Sequence, residues 1–465
     1  MSAIAVLDIG KTNVKLSIAD AAGKVRETLS TPNAALEPPP YRHHDLAALE
    51  AWLLDGLSAL SRRHAVAAIV PVGHGSAGVL VDAAGPVLPM VDYEADAPAE
   101  ITALYRTLAG DFRARGSAIM LGASHLARQM LWQERAWPEA FARAQHLLGL
   151  PQYWAWRLSG VAASEVTVLG AQSHLWAVRD GSFAPIVTAR GWQRLLPPLM
   201  PAWAALGTLR PDIAARTGLA PQTRVLCGGH DSSLNFYRYQ AAGLSGLTVV
   251  STGTWIVALS DAADPEALDE ARGMTCNADP AGRPLAGVLG MGGREFALIA
   301  GAQPAGAQGD PAVVARLVAR GTLALPFFSE DDALLPGRAR QGCVRGPPPQ
   351  DAAERRALAL LATALLTDLM LDALGNTGRV VLDGSFIADP LFAALVAGFR
   401  PAREVRFNAE IDGVAAGAAL LAGHATRDRP APLSLGVPAR LDMPALATYR
   451  AAWRAHAAPG TEQAR

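Results

Sequence analysis

The sequence predicts an α/β protein with two domains, and three observations support this fold class. Short segments of alternating apolar and polar residues follow one another near the N-terminus, separated by turns, which is typical of β-strands. A similar strand–turn–strand segment recurs about halfway along the chain. Segments with helical periodicity lie around both, and a chain of 465 residues is too long for one ordinary hydrophobic core.

The first of these segments raises a choice between two phosphate-binding designs. Residues 8–13 read DIGKTN, and Gly10-Lys11-Thr12 resembles the end of a P-loop. A P-loop needs an earlier glycine where this chain has Ala5, and a helix after the lysine, whereas Val14–Asp20 alternates as a strand does. The residues therefore favour a β-hairpin with DIGKTN as its turn, continued by a third strand over Val25–Leu29.

The second strand–turn–strand segment, residues 247–261, reads LTVVSTGTWIVALSD. Placing Gly10 on Gly253 also places Asp8 on Ser251, because both pairs are 243 residues apart (253 − 10 and 251 − 8). Two explanations stay open from the residues alone: an internal duplication, or chance similarity between two hairpins with glycine turns.

The remaining pattern predicts strands and helices in both halves. Residues 67–82 are expected to form a strand, a glycine-rich turn and a second strand. We predict helices over Asp45–His64, Ala123–Ala136, Pro138–Ala144, Ala352–Leu374, Pro390–Phe399 and Gly413–Gly423, and a strand over Arg379–Leu382. The domain boundary is placed at the start of RVLCGGHDSSLNF, which gives domains of 1–223 and 224–465.

Composition excludes several classes of function. Hydrophobic residues make up 51% and charged residues 18% of the chain, which is typical of a globular protein. The net charge of −1 gives no electrostatic case for binding nucleic acid or a membrane surface. Three widely spaced cysteines indicate neither a disulfide framework nor a metal site, and the N-terminus lacks the pattern of a signal peptide, so we expect a cytoplasmic protein.

Two acidic residues are expected at strand ends. Asp231 follows the strand and the glycine pair of VLCGGHD and precedes a predicted helix, so it would lie at the carboxyl edge of a sheet, where α/β proteins bind ligands. Alternatively, it is only the N-cap of that helix. Asp8 ends the first strand and could equally be a turn residue that bonds its own backbone.

Two hairpins rich in glycine and threonine are suited to phosphate, because exposed N–H groups and hydroxyls can surround its oxygens. Five segments in order, DIGKTNVKL, GGHDSSLNF, STGTW, LDGSFIADPLF and EIDGVAAGAALLAG, resemble the FGGY family of carbohydrate kinases, and the match runs from residue 5 to about residue 424. The resemblance implies two ribonuclease-H-like domains of the actin-like ATPase type flanking a catalytic cleft. It also implies transfer of the γ-phosphoryl group of ATP, with Mg²⁺, to a sugar hydroxyl.

Carried over by position, the resemblance implies the following roles. Asp231 would be the general base and, with Asp8, would lie at the Mg²⁺ ion. The nucleotide would be contacted by Gly10, Lys11, Thr12 and Asn13 of the first hairpin, Gly253 and Thr254 of the second, and Gly384, Ser385 and Asp389 beside the adenosine. Members often have Thr or Ser where this chain has Lys11, so the role of this lysine is open.

The sugar is expected on the first domain, near two short segments. The candidate contacts are His74, Gly75 and Ser76, then Asp92, Tyr93 and Glu94, together with Asp231. His74 could instead be a hydrogen-bonded turn or core residue, and Glu94 a solvated acid. Residues 158–176 resemble the corresponding segment of rhamnulose and fuculose kinases, which favours a ketose or deoxyketose such as L-rhamnulose, L-fuculose, xylulose or ribulose.

Other interpretations remain beside the kinase. One is a non-catalytic or chaperone-like ATPase of the same superfamily, and another is a sugar-sensing regulator that has lost transfer. The presence of Asp231 and of the GHGSAG segment at 73–78 argues against the first. The segment GMGGREF at 290–296 could flank the nucleotide, but we favour the alternative that Arg294 and Glu295 form a structural ion pair. The tryptophans of the first half are expected to pack at domain or subunit contacts, which allows a homodimer.

Overall fold

The computed structural model describes residues 3–331, 334–375, 378–410 and 412–457. Two compact units are present. The first comprises Met1–Leu244, Cys276–Leu285 and Asp412–Leu433, and the second comprises Ser245–Thr275, Ala286–Ile411 and Ser434–Arg465. The sequence predicted one boundary, at 223/224, whereas this division by contacts keeps 224–244 with the first unit.

Within the described ranges the chain forms 23 strands, 16 α-helices and five short 3₁₀ segments. The strands are β1 (Ala3–Ile9), β2 (Asn13–Ala19), β3 (Val25–Pro32), β4 (Ala35–Leu36), β5 (His43–His44), β6 (Val66–Gly73), β7 (Gly78–Asp82), β8 (Gly85–Pro86), β9 (Met90–Val91), β10 (His146–Gly149), β11 (Trp176–Ala177), β12 (Ser182–Phe183), β13 (Ala205–Thr208), β14 (Arg224–Leu226), β15 (Gly229–His230), β16 (Leu247–Thr252), β17 (Ile256–Ser260), β18 (Met274–Ala278), β19 (Pro284–Gly290), β20 (Leu323–Leu325), β21 (Cys343–Arg345), β22 (Arg379–Gly384) and β23 (Val405–Phe407). The helices are α1 (Leu46–Ser61), α2 (Ala99–Leu108), α3 (Phe112–Arg115), α4 (Leu126–Ala136), α5 (Pro138–Arg143), α6 (Leu150–Ser159), α7 (Val166–Leu169), α8 (Pro185–Ala189), α9 (Pro211–Thr217), α10 (Asp231–Ala241), α11 (Gly292–Ala300), α12 (Pro311–Ala319), α13 (Ala352–Ala373), α14 (Pro390–Phe399), α15 (Gly413–Leu421) and α16 (Leu446–Ala457). The 3₁₀ segments are Trp192–Leu195, Pro265–Ala267, Glu270–Arg272, Ser385–Ala388 and His424–Thr426.

The first unit is built on a sheet with the order β13-β14-β6-β1-β2-β3, and β15 also pairs with β6. β1 runs parallel to β6 and antiparallel to β2, and β2 is antiparallel to β3. The predicted meander and its first hairpin are therefore confirmed. Because successive side chains of a strand point to opposite faces, both faces of β1 are covered. Leu7 packs in one core with Leu53 of α1, and Val6 packs in another with Leu234 of α10.

Helix α15 lies unusually close to α10. A Cβ atom added at Gly417 would stand 1.9 Å from the carbonyl oxygen of Leu234, so only glycine permits this approach. The small residues of GVAAGAALLAG thus serve helix packing within the first unit. The predicted helices occur at nearly the predicted bounds, except that α4 begins at Leu126 rather than Ala123, because the preceding residues form a turn.

The second unit repeats the same sheet plan. Within this unit the strand order is β19-β17-β16-β22-β23, in which β16, β22 and β23 are parallel and β17 is antiparallel to both β16 and β19. In order and direction, β23, β22, β16, β17 and β19 correspond to β14, β6, β1, β2 and β3 of the first sheet. The hairpin β16–β17 therefore occupies the position of β1–β2. This correspondence supports an internal duplication and confirms the fold class predicted from the sequence.

The apolar helix α13 carries a buried acid that the fold neutralises. Asp368 is fully buried and accepts hydrogen bonds or ion pairs from Arg400, Arg450 and Arg454, at 3.0 Å from Arg400 Nε and 2.6 Å from Arg450 Nε. Two of these arginines, Arg450 and Arg454, lie on α16, so their ion pairs with Asp368 hold α16 against α13. Among the described helices, none is both long and apolar enough to cross a membrane.

Candidate active site

Three parallel strands of the first unit end side by side. Asp8 of β1 lies opposite Val72 of β6, and Val72 lies opposite Gly229 of β15. His74 and Asp231 each follow two residues beyond this row, so the sheet brings Asp8, His74 and Asp231 to one edge. This is the carboxyl edge, where parallel α/β sheets place their ligand sites.

Asp231 occupies a strand-to-helix junction, as the sequence predicted. It is the first residue of α10, and the N-cap residue is His230, which makes no side-chain cap bond. Its Oδ1 atom accepts hydrogen bonds from the N–H and the hydroxyl of Ser232, the latter at 3.0 Å, and its side chain is 26% exposed. The structure therefore does not support the N-cap alternative, and the carboxylate keeps an exposed fraction that a substrate could reach.

The backbone before Asp231 is fixed by close packing. Gly228 has φ +71°, and a Cβ atom there would lie 1.9 Å from the carbonyl oxygen of Pro71. The N–H of His230 donates to Thr167 Oγ1 at 2.9 Å. This threonine hydroxyl donates in turn to Glu165 Oε2 at 2.5 Å. A chain of two hydrogen bonds thus connects a buried carboxyl group to the residue that precedes Asp231.

Glu165 is almost completely buried. Its Oε2 atom also accepts from the N–H groups of Thr167 and Val168, and it caps α7. Its Oε1 atom has no hydrogen-bond partner in the part of the chain that the structure describes. Burial raises the pKa of Glu165 to about 7, although the hydrogen bonds from Thr167 and Val168 oppose the rise.

The electrostatics of the edge are dominated by burial and by the two aspartates. Burial raises the pKa of Asp8 to about 7, and the negative charge of Asp231 adds to the rise. Burial also lowers the pKa of His74 to about 4, against the attraction of Asp231. At neutral pH the imidazole is therefore uncharged, and it offers one donor and one acceptor.

The turn of the first hairpin is held by Asn33, the residue that follows β3. Gly10 N–H donates to Asn13 O at 3.0 Å, which closes the turn. Asn33 donates from its side chain to Gly10 O at 2.7 Å and from its backbone to Thr12 O at 2.8 Å. Thr12 and Asn13 are exposed.

Lys11 points to the predicted sugar segment. Its Nζ atom makes an ion pair with Asp92 Oδ1, lies 3.5 Å from Glu94 Oε2 and stands 5.0 Å from the centre of the Tyr93 ring. Arg42 approaches the same acid, with Nε 3.1 Å from Asp92 Oδ2. The structure thus brings together a nucleotide candidate and all three residues of one sugar segment.

The other sugar segment lies beside it. The rings of His74 and Tyr93 meet edge to face at 5.3 Å. Neither ring nitrogen of His74 has a hydrogen-bond partner among the described residues, so the structure does not support the alternative of a hydrogen-bonded core histidine. Gly75 is buried, and Ser76 accepts a bond from Gln129 Nε2 at its carbonyl oxygen, at 2.8 Å.

In the second unit, the hairpin β16–β17 lies against the strand that carries the predicted adenosine residues. Thr252, which precedes Gly253, donates its hydroxyl to Asp383 O at 2.6 Å and accepts from the N–H of Phe386 at 3.1 Å. Ser385 Oγ donates to Thr252 O at 3.2 Å. The segments around Thr254 and Gly384 are therefore joined directly, within one unit.

A cavity of about 360 Å³ adjoins this segment. Ser385 and Asp389 line it, together with Phe296, Gly306, Gln308 and Arg356. Asp389 caps α14, accepts from Gly309 N–H at 2.8 Å and pairs with Arg356 at 2.8 Å. Its carboxylate is thus occupied by the protein and shapes the wall of the cavity.

One expected ion pair is absent. Arg294 pairs with Glu330, whereas Glu295 accepts hydrogen bonds from the N–H groups of Phe328 and Ser329. Adjacent residues on a helix face different directions, so the prediction of an Arg294–Glu295 pair was wrong.

Sequence reasoning missed several residues of the first unit that support this edge. These are Asn33, Arg42, His44, Glu165 and Thr167. No sequence motif marks these residues, because the residues that they contact are distant along the chain. The one available signal was the acidic and hydroxyl character of Glu165 and Thr167 within 158–176, a segment used only to infer the sugar.

Comparisons with known proteins identify the family of the chain. A family model described as the FGGY family of carbohydrate kinases, N-terminal domain, matches residues 3–236, and one described as carbohydrate kinase FGGY, C-terminal domain, matches residues 245–430. The chain is 29% identical to an L-fuculokinase of Salmonella typhi over 291 residues, 59% of this chain. The match spans 60% of that relative's length.

Solved structures extend the likeness to nearly the whole chain. A carbohydrate kinase from Novosphingobium aromaticivorans is 34% identical, with a TM-score of 0.85, over 97% of this chain and 100% of that one. A xylulose kinase from Rhodospirillum rubrum, at 19% identity and a TM-score of 0.75 over 98% of each chain, shares the fold. The two family models and this neighbourhood show that the chain belongs to the FGGY family of carbohydrate kinases.

Proposed function

We propose that the protein transfers the γ-phosphoryl group of ATP to a hydroxyl group of a ketose or deoxyketose. The observation that carries this proposal is the group of Asp8, His74 and Asp231 at the carboxyl edge of the first sheet, next to the hairpin turn of DIGKTN. The L-fuculokinase relatives support a deoxyketose as the first substrate class to test.

Asp231 is proposed as the general base. Its exposed carboxylate would accept the proton of the sugar hydroxyl as the new oxygen–phosphorus bond forms and the bond to ADP breaks. Assistance of this kind accelerates reactions by roughly 10²- to 10⁴-fold. Because Gly228 and Thr167 fix the backbone around it, the carboxylate is held in one place before substrate arrives.

His74 is proposed to bind the sugar. A neutral imidazole whose two nitrogens are both without protein partners can donate to one hydroxyl and accept from another. Tyr93 packs against its ring and offers an apolar face to a C–H surface. Glu94, with a side chain 34% exposed, could accept from a further hydroxyl.

The first hairpin is proposed to surround the ATP phosphates through Gly10, Thr12 and Asn13. In the second unit, Gly253, Thr254, Gly384 and Ser385 are proposed for the nucleotide, and the cavity beside Ser385 and Asp389 is proposed for the adenosine. The size of this cavity, about 360 Å³, and its mixed apolar and polar wall suit a nucleoside.

Mg²⁺ fits the carboxylates of Asp8 and Asp231. Each acid supplies the oxygen ligands that this ion prefers. Burial is the main cause of the raised pKa of Asp8, and a cation would relieve the repulsion by Asp231 that adds to it. Within the described residues no group of three or more acidic, histidine or cysteine side chains could hold a metal alone, so water and phosphate oxygens would complete the shell. When bound, the ion neutralises phosphate charge.

A screen for sugar-dependent ADP release tests the proposal. The purified protein, with ATP and Mg²⁺, is offered L-fuculose-type and L-rhamnulose-type ketoses, D-xylulose, D-ribulose, aldoses and polyols. We expect one ketose or deoxyketose to raise ADP release well above the rate without sugar, with a sugar phosphate as product. ATP turnover that no sugar changes would favour the chaperone-like ATPase, and binding of sugar without turnover would favour the sensor.

A further inference from the structure

We infer that Lys11 belongs to the acceptor side of the site: its ammonium group binds a sugar hydroxyl and not an ATP phosphate. The inference rests on the proposed kinase function and adds a specificity-determining residue to it. It concerns the position at which this chain departs from the hydroxyl residue common in the family.

The contacts of Lys11 all come from the sugar segment 92–94. Its ammonium group pairs with Asp92, lies 3.5 Å from the carboxylate of Glu94 and faces the ring of Tyr93 at 5.0 Å. The side chain of Lys11 therefore extends from the turn of the hairpin to the segment that begins with Asp92, 81 positions further along the chain. A side chain held in this way is positioned where the sugar is expected.

Asp92 acts through Lys11 and does not reach the sugar itself. Its side chain is fully buried, and its Oδ1 atom also accepts from the N–H of Glu94 at 2.9 Å, while Arg42 Nε stands 3.1 Å from Oδ2. Burial alone would raise the pKa of Asp92, but the hydrogen bonds from Lys11 and Glu94 hold the pKa below its ordinary value. The acid is therefore a charged anchor for the lysine.

The charge balance favours a neutral ligand over a phosphate. Two cations, Lys11 and Arg42, face three carboxylates within this cluster: Asp92, Glu94 and Glu37, whose Oε1 lies 3.8 Å from Arg42 Nε. The neighbouring His44 is uncharged at neutral pH, because burial lowers its pKa to about 4. An ammonium group that is already neutralised gains little from a further anion, whereas it can still donate a hydrogen bond to a hydroxyl.

Lys11 also has a donor to offer. An ammonium group carries three N–H bonds, of which Asp92 takes one and Glu94 is placed to take a second. The side chain of Lys11 is 20% exposed, so a ligand can approach it. Lys11 and His74 also contact the same ring, because Lys11 Nζ stands 5.0 Å from the centre of Tyr93 and the His74 ring meets Tyr93 edge to face at 5.3 Å. Lys11 and His74 can thus bind neighbouring hydroxyls.

Four variants separate the roles. K11M removes the donor, K11R keeps the charge, and D92N removes the charge of the anchor. In K11M alone, the buried carboxylate of Asp92 loses one of its two cationic partners; the double variant K11M/D92N avoids this, because it also removes the carboxylate. E50Q is the matched control, because Glu50 pairs with Arg157 elsewhere in the first unit at similar exposure (20% and 25%). The KM values for ATP and for the best sugar, the sugar Kd by calorimetry without nucleotide, and the Tm are measured for each.

We expect K11M, D92N and the double variant to raise the sugar KM and Kd by about 10- to 100-fold, the usual worth of a hydrogen bond to a charged group. K11R should be affected less, and the ATP KM should change less than about twofold in all of them. E50Q should match the wild type. A raised ATP KM with an unchanged sugar KM would overturn the inference, and so would normal sugar binding by a well-folded double variant. If no sugar is phosphorylated by the wild type, the proposed function fails, while calorimetry still decides the role of Lys11.

Discussion

Replacing Glu165 by glutamine tests whether a buried, ionisable group supports the base. The substitution keeps the shape of the side chain and a carbonyl oxygen that can accept the bonds from Thr167 and Val168. It removes the ability to ionise and replaces the other oxygen by an NH2 group, a change whose effect does not depend on pH. Because burial raises the pKa of Glu165 to about 7, the folded wild type holds a proton that the unfolded chain releases at lower pH.

The sign and size of the effect follow from linkage. A raised pKa in the folded state contributes stability below the unfolded value near 4.5, and this contribution is lost as the pH rises through about 7. The rise of the pKa from 4.5 to about 7 corresponds to about 3 kcal/mol in total, at about 1.4 kcal/mol per pH unit. Because part of this change falls below pH 5, the wild type should lose about 2.5 kcal/mol relative to Glu165→Gln between pH 5 and pH 8.5.

The assay is denaturant unfolding at several pH values, followed by tryptophan fluorescence, for wild type, Glu165→Gln and the control Glu100→Gln, which changes an exposed acid on α2. The difference in unfolding free energy between Glu165→Gln and wild type should grow with pH, and that of the control should stay flat. A constant difference across this range would refute the reasoning, because it would mean that Glu165 is already ionised in the folded protein at pH 5.

Two further substitutions test the fold around the sites. Asp368→Ala should destabilise the second unit by about 3–5 kcal/mol, measured by chemical unfolding, because it leaves Arg450 and its neighbours without their buried partner; a loss below about 1 kcal/mol would contradict this. Gly228→Ala should cost more than about 2 kcal/mol and lower activity strongly, because it forces a left-handed backbone and a contact with Pro71 O at 1.9 Å; a stable and active variant would show that the junction is not rigid.

Much of the fold could be predicted because its signals are local. Alternation identified the hairpin β1–β2, and a second strand–turn–strand pattern identified β16–β17. The glycine pair before Asp231 predicted a strand-to-helix junction, which the structure contains. The discontinuous units could not be predicted in this way, because residues 276–285 and 412–433 join the first unit through packing that no local pattern encodes.

The site was predictable only as far as its motifs reach. Asp8, His74 and Asp231 meet because parallel strands align their carboxyl ends, a rule that applies to any such sheet. The contact of Lys11 with Asp92 depends on the conformation of the segment that follows β9 and returns to the first hairpin. The composition of the chain does not specify this conformation. The same holds for Thr167, whose hydroxyl reaches the backbone of a residue 63 positions away.

The central claim is that Asp231 is the base of a sugar kinase, and one comparison tests it most directly. Asp231→Asn and wild type are assayed for sugar-dependent ADP release with the best acceptor, and ATP binding is measured for both by calorimetry. We predict a fall in kcat of at least about 100-fold in the variant, with its fold intact and its ATP affinity nearly unchanged. A variant that phosphorylates the sugar at close to the wild-type rate would contradict it.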